Sequence, residues 1–92
     1  MWIDELLSKI NRTRIPVAYD PHLIIRESHR NLDLRLIKET VRTGKVDSRK
    51  SNPPRKICFN RYFGKQNQTY TVISIIHDHY VEVKTAWIRK GR

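Results

Sequence analysis

A chain of 92 residues is long enough for one domain with a modest core. Its formal net charge of +10, from 19 Lys and Arg against 9 Asp and Glu, favours polyanions as partners: nucleic acid first, an acidic protein second. The single cysteine, Cys58, excludes an intrachain disulfide and a cysteine-based metal cluster, and the apolar runs are too short to span a bilayer.

The first residues, Met-Trp-Ile-Asp-Glu, carry acid ahead of the apolar stretch, unlike a secretory signal. A soluble, cytoplasmic protein with no membrane partner is expected. Residues 2–11 read as an amphipathic helix, with Trp2, Ile3, Leu6, Leu7 and Ile10 at helical spacing. Asp4 and Glu5 suit its positive end, and Arg12 and Arg14 follow its negative end. This helix, residues 1–15, reads as an extension ahead of one α+β unit over 16–92. Pro16 separates the two, and Val17–Tyr19 is a short strand or an extended lead-in.

Asp20 can cap a second helix over 21–30, with Pro21 at the first helical position and Leu23 and Ile24 facing the core. Asn31 ends it. Asp33 caps a third helix over 34–43, whose buried stripe is Leu34, Ile37 and Val41. Glu39 lies opposite Arg35 and Arg42, which partly balance it. Gly44 stands where a left-handed cap is expected. The polar stretch 45–56, with Pro53-Pro54, reads as a loop.

Three strands follow. Residues 56–63 alternate Ile57, Phe59, Arg61 and Phe63 against Cys58, Asn60 and Tyr62. Residues 69–77 are apolar on both faces and suit the centre of the sheet. Asp78-His79 forms a turn. Residues 80–88 alternate Val81, Val83, Thr85 and Trp87 against Tyr80, Glu82, Lys84 and Ala86. The tail from Arg89 is basic and loose. The expected fold is α+β: two to three helices packed on one face of an antiparallel sheet, with the other face partly open.

Within the second helix, His22, Arg26 and Arg30 recur every four residues and share one stripe. Such a cationic ladder calls for an anion opposite it; alternatively, the arginines are solvated or paired with Glu27 or Asp33. This His-x3-Arg-x3-Arg helix is followed by a short capped helix ending in Gly44-Lys45-Val46. Three strands then end in Val83-Lys84-Thr85-Ala86-Trp87. Over about residues 20–88 the combination resembles a small uncharacterised domain family related to BrnT and, more remotely, to RelE-type toxins. The resemblance implies helices on an antiparallel sheet, endoribonuclease cleavage of RNA, and neutralisation by a paired antitoxin. By position it carries over the ladder residues and Thr85.

The residue types fit metal-free RNA cleavage, with no cofactor. Guanidiniums can stabilise charge building on a phosphate, and a histidine can move a proton. Candidates are His22, Arg26, Arg30, Arg61 and Thr85, with the ladder expected to face the sheet near Thr85 and Arg61. Each has a plainer reading. His22 can bond local backbone, Arg61 can be a buried arginine paired with Asp33 or Glu82, and Thr85 is a good strand former.

Residues 42–65 are strongly basic, and Phe59, Tyr62 and Phe63 lie among the cations. Arg42, Lys45, Arg49, Lys50, Arg55, Lys56 and Lys65, joined by Lys84, are candidates for holding RNA phosphates; the alternative is a solvated basic surface. Trp87 reads as core rather than as a platform for bases. His77-Asp78-His79 reads as turn chemistry, with no further metal ligand evident.

Overall fold

The computed structural model describes residues 2–23 and 31–92. Helix α1 spans Trp2–Ser8, shorter than its apolar pattern, and two turn-type bonds carry the chain on to Ile10. Strand β1 is Val17–Tyr19. Helical conformation begins at residues 21–23, as expected after Asp20; the rest of the helix expected over 21–30 lies outside the described residues.

Helix α2 is Leu34–Thr43, capped by Asp33, whose side chain accepts from the Arg35 N–H. Strand β2 is Lys45–Val46, followed by a 3-10 turn at Ser48–Lys50. Strands β3 (Lys56–Phe63), β4 (Gln68–Ile76) and β5 (Val81–Lys90) complete the chain.

The fold is α+β, as the order of periodicities implies. The five strands lie in the order β1-β5-β4-β3-β2, which puts β4 at the centre. The sheet is not purely antiparallel. β1 runs parallel to β5, with Val17 opposite Val81; the two strands are far apart in the chain, with β2, β3 and β4 between them, so no hairpin joins them.

One face of the sheet carries the core. Ile57, Phe59 and Phe63 of β3, Tyr70, Val72 and Ile76 of β4, and Val81, Val83 and Ala86 of β5 close against Ile37 and Val41 of α2. Ile3, Ile15, Leu23 and Leu32 join the same cluster, so residues 2–15 share one core with the sheet and α2. Arg12 ties them in further. Its guanidinium lies 4.5 Å from the Phe59 ring centroid and donates to the carbonyls of Val41 and Gly44 at the end of α2. It therefore serves the negative end of α2, rather than that of α1.

Two local expectations are corrected. Gly44 is extended (φ −70°), not left-handed. The glycine is needed for space: a Cβ would lie 2.5 Å from the Thr40 carbonyl oxygen and 2.9 Å from that of Asn60. The second correction concerns β5. Ser74 pairs with Val83 and Ile73 with Thr85, so Lys84 is an extra residue in the ladder. This bulge shifts the alternation by one. Ala86 and Ile88 turn to the core, while Thr85 and Trp87 turn to the outer face.

A basic cleft on the outer face of the sheet

The outer face carries Cys58, Asn60 and Tyr62 of β3, Thr69, Thr71 and Ile73 of β4, and Thr85, Trp87 and Arg89 of β5. Its centre is buried, at Cys58, Thr69, Thr71 and Ile73, while Asn60, Tyr62, Thr85 and Trp87 are half-buried and Arg89 is exposed. The segment 48–51 crosses above Cys58, where the Ser51 hydroxyl accepts from the Cys58 N–H at 3.0 Å. Cys58 is fully buried beneath it, and burial raises its thiol pKa. At the other end Gly91 and Arg92 lie against Thr69 and Tyr62.

Between these covers runs a cleft of about 900 Å3, open to solvent. Asn60, Tyr62, Thr69 and Arg89 come from the outer face itself. Lys45, paired with Asn60 across β2 and β3, contributes from the sheet edge. Ser48 and Arg49 line the cleft from the 3-10 turn, and Arg92 from the tail.

Among the described residues five cations line this cleft, against Asp47 as the one carboxylate side chain. Asp47 caps the 3-10 turn through the Arg49 N–H at 3.1 Å. Arg61 is partly neutralised: its Nη1 sits 3.1 Å from Glu39 Oε1 and 2.6 Å from Thr43 Oγ1, and its guanidinium stacks on Phe63. Among the described residues Lys45, Arg49, Arg89 and Arg92 have no carboxylate partner. Two rings on this face carry cations. Arg92 lies 4.6 Å from the Tyr62 centroid and Lys50 5.4 Å from that of Trp87. The Tyr62 hydroxyl bonds Asn67 at 2.9 Å, which fixes its ring.

The structure thus gathers Lys45, Arg49 and Arg61 from the sequence candidates, with Lys50 beside them over Trp87. It disperses the others. Arg42 donates to the Arg12 carbonyl, Arg55 holds the Ile76 carbonyl and Asp78, and Lys56 and Lys65 are exposed at the start of β3 and in the turn after it. Lys84 is bound to Asp20 at 2.7 Å and lies 3.6 Å from Glu82. The sequence reading leaves Arg89 and Arg92 in a loose tail. The missed signal is continuation: β5 runs on to Lys90, and Arg89 shares the face of Trp87.

Among the described residues the cleavage candidates His22, Arg61 and Thr85 do not share a site. Arg61 belongs to the row Arg61-Tyr70-Ile88 on the core face, and Thr85 to the row Cys58-Ile73-Thr85 on the outer face. The carboxylate facing Arg61 is Glu39, not Asp33 or Glu82, and Glu39 is thereby taken from Arg35 and Arg42; Asp33 pairs with Arg35 instead. Arg26 and Arg30 lie outside the described residues, as does Glu27. His22 follows β1, at the sheet edge opposite β2, and its side chain is 87% exposed.

Asp20 joins a chain of charges at that edge. Its Oδ1 accepts from the His22 N–H at 2.9 Å and lies 3.0 Å from Nδ1. The Lys84 ammonium, then the His22 N–H and ring, hold the Asp20 carboxyl well below the usual carboxylate range. Glu82 also meets His77 Nε2 at 3.2 Å, and the His77 ring stacks on Tyr80.

No protein-family model, curated protein or solved structure matches the chain. Among the described residues no helix is long and apolar enough to cross a membrane.

Proposed function

We propose that the protein binds RNA through the cleft on the outer face of the sheet. The observation that carries this reading is the convergence of Lys45, Arg49, Arg89 and Arg92 on one open groove whose single carboxylate side chain, among the described residues, is engaged in capping. Cations so placed attract a polyanion, and guanidiniums can grip phosphate with two bonds each. An RNA partner is also what the resemblance to BrnT-related domains implies.

Affinity for a labelled, mixed-sequence RNA, measured by anisotropy in EDTA from about 50 to 200 mM salt, tests this. Four phosphate contacts give a log–log salt slope of roughly −3. Replacing the four cations by alanine should flatten the slope and weaken binding to all sequences alike. No binding at low salt, or binding indifferent to salt, contradicts the reading and leaves an acidic protein as the partner.

Cleavage is a second reading, and one observation favours it. Asp20 orients His22 through Nδ1, so Nε2 is turned to solvent and can take a proton. It requires an RNA long enough to reach from the cleft to the opposite edge. Under the same EDTA conditions, cleavage abolished by His22→Ala supports it, and an RNA pool left intact by the wild type removes it.

A further inference from the structure

The outer face offers more than charge. The bulge at Lys84 brings Trp87 onto the face that already holds Tyr62, with one strand between them. Tyr62 aligns with Thr69 and Arg89, and Trp87 lies two residues before Arg89 on β5. Two strand spacings across and two residues along put the two Cα atoms about 12 Å apart. Both rings are half-buried, so each is held on one side by the sheet.

Tyr62 lines the cleft, and Trp87 lies outside its lining on the same sheet face. We propose that the two are stacking platforms for unpaired bases, so that the cleft and the face beside it take single-stranded rather than duplex RNA. This rests on the RNA reading above and specifies its ligand. The charge arrangement supports it. Lys50 and Arg92, which now cover the two rings, are both exposed at their own positions. A base arriving on each ring displaces the cation, which then meets the phosphate beside that base. The spacing points the same way. About 12 Å is well beyond the ~3.4 Å step of stacked bases, so a strand that meets both rings is splayed. A duplex keeps its bases paired and cannot offer them to a sheet surface.

The test uses the full chain with Trp2→Phe, which leaves Trp87 as the only tryptophan. A mixed-sequence single-stranded 12-mer RNA and the duplex formed with its complement are titrated at one salt concentration. The single strand should quench Trp87 emission, and the duplex should bind more weakly. Read by the anisotropy of labelled RNA, Tyr62→Ala and Trp87→Ala in the otherwise unchanged chain should each weaken single-strand binding by about 5- to 150-fold, the range for loss of one stacked base. Trp87→Phe keeps a ring and should retain most of the affinity, which separates stacking from damage to the fold. Equal affinity for duplex and single strand, or alanine variants that bind like the wild type, overturns the platform while leaving the basic cleft in place. Failure of the unsubstituted protein to bind either RNA by anisotropy overturns the RNA reading itself.

Discussion

The two faces of the sheet are built from alternate residues of the same three strands, yet they have opposite uses. Toward the helices stand Ile57, Phe59, Val72, Ile76 and Val83, all without solvent exposure. Toward the outside stand Asn60, Tyr62, Thr69, Trp87 and Arg89, bordered by cations rather than by a helix. The arginines divide in the same way. Arg12, Arg42 and Arg61 are spent on carbonyls, a carboxylate and aromatic rings that hold α1, α2 and β3 together. Arg49, Arg89 and Arg92 border the cleft. A charge of +10 is thus two populations, one structural and one available to a ligand.

The largest effect expected from breaking this contrast is on stability. Phe59→Ala removes a fully buried ring and should cost about 3–5 kcal/mol in urea unfolding, a large share of what a domain of this size has. Tyr62→Ala, three residues on and facing out, should cost less than about 1 kcal/mol. Similar losses at the two positions would deny that the faces differ. Gly44→Ala comes next. Its methyl has no room between the Thr40 and Asn60 carbonyls, so a loss of roughly 1–3 kcal/mol is expected in the same experiment; an unchanged midpoint would show the approach of α2 to β3 to be looser.

A smaller effect concerns charge. Arg89→Gln should reduce the salt slope of RNA binding by about 0.7, whereas Arg42→Gln, on the structural side, should leave the slope unchanged and lower stability instead. The smallest effect is on acid stability. The folded-state pKa of Asp20 is depressed, so its contribution is present above the ordinary carboxylate value of about 4 and is lost as pH falls through the lower folded value. Asp20→Asn keeps a capping side chain but has no such titration. Its unfolding midpoint should therefore fall less than the wild type's on acidification below about pH 4. Parallel profiles would mean that the Lys84–Asp20 pair does not contribute.

Much of this architecture is legible in the sequence because it rests on local chemistry. Asp33 and Asp20 announce helix starts, and the apolar runs announce β3, β4 and β5 with β4 central. What is not legible depends on pairing. The bulge at Lys84 arises between two strands and leaves no mark on either alone, so strict alternation assigns Thr85 and Trp87 to the wrong face. The parallel edge made by three residues of β1 carries no periodic signal. Nor do the roles of the arginines follow from spacing. Arg12 reads as a partner for the end of the first helix and Arg42 as a phosphate ligand, yet both act as staples, and the partner of Arg61 lies on α2, 22 residues away in sequence. The cleft itself is half legible: Lys45, Arg49 and Arg61 lie in the basic stretch, whereas Arg89 and Arg92 arrive only when β5 folds beside β4.

The outer face of the sheet, rather than the helical side, is the surface that meets the ligand. Amide and indole NMR shifts, followed as single-stranded RNA is added to the labelled protein, read this residue by residue. The expected result is movement concentrated at Asn60, Tyr62, Thr69, Trp87 and Arg89 and in residues 45–50, with Ile37, Val41 and Phe59 steady. Shifts confined to α1 and α2, or no shifts at an RNA concentration that saturates anisotropy, would contradict it.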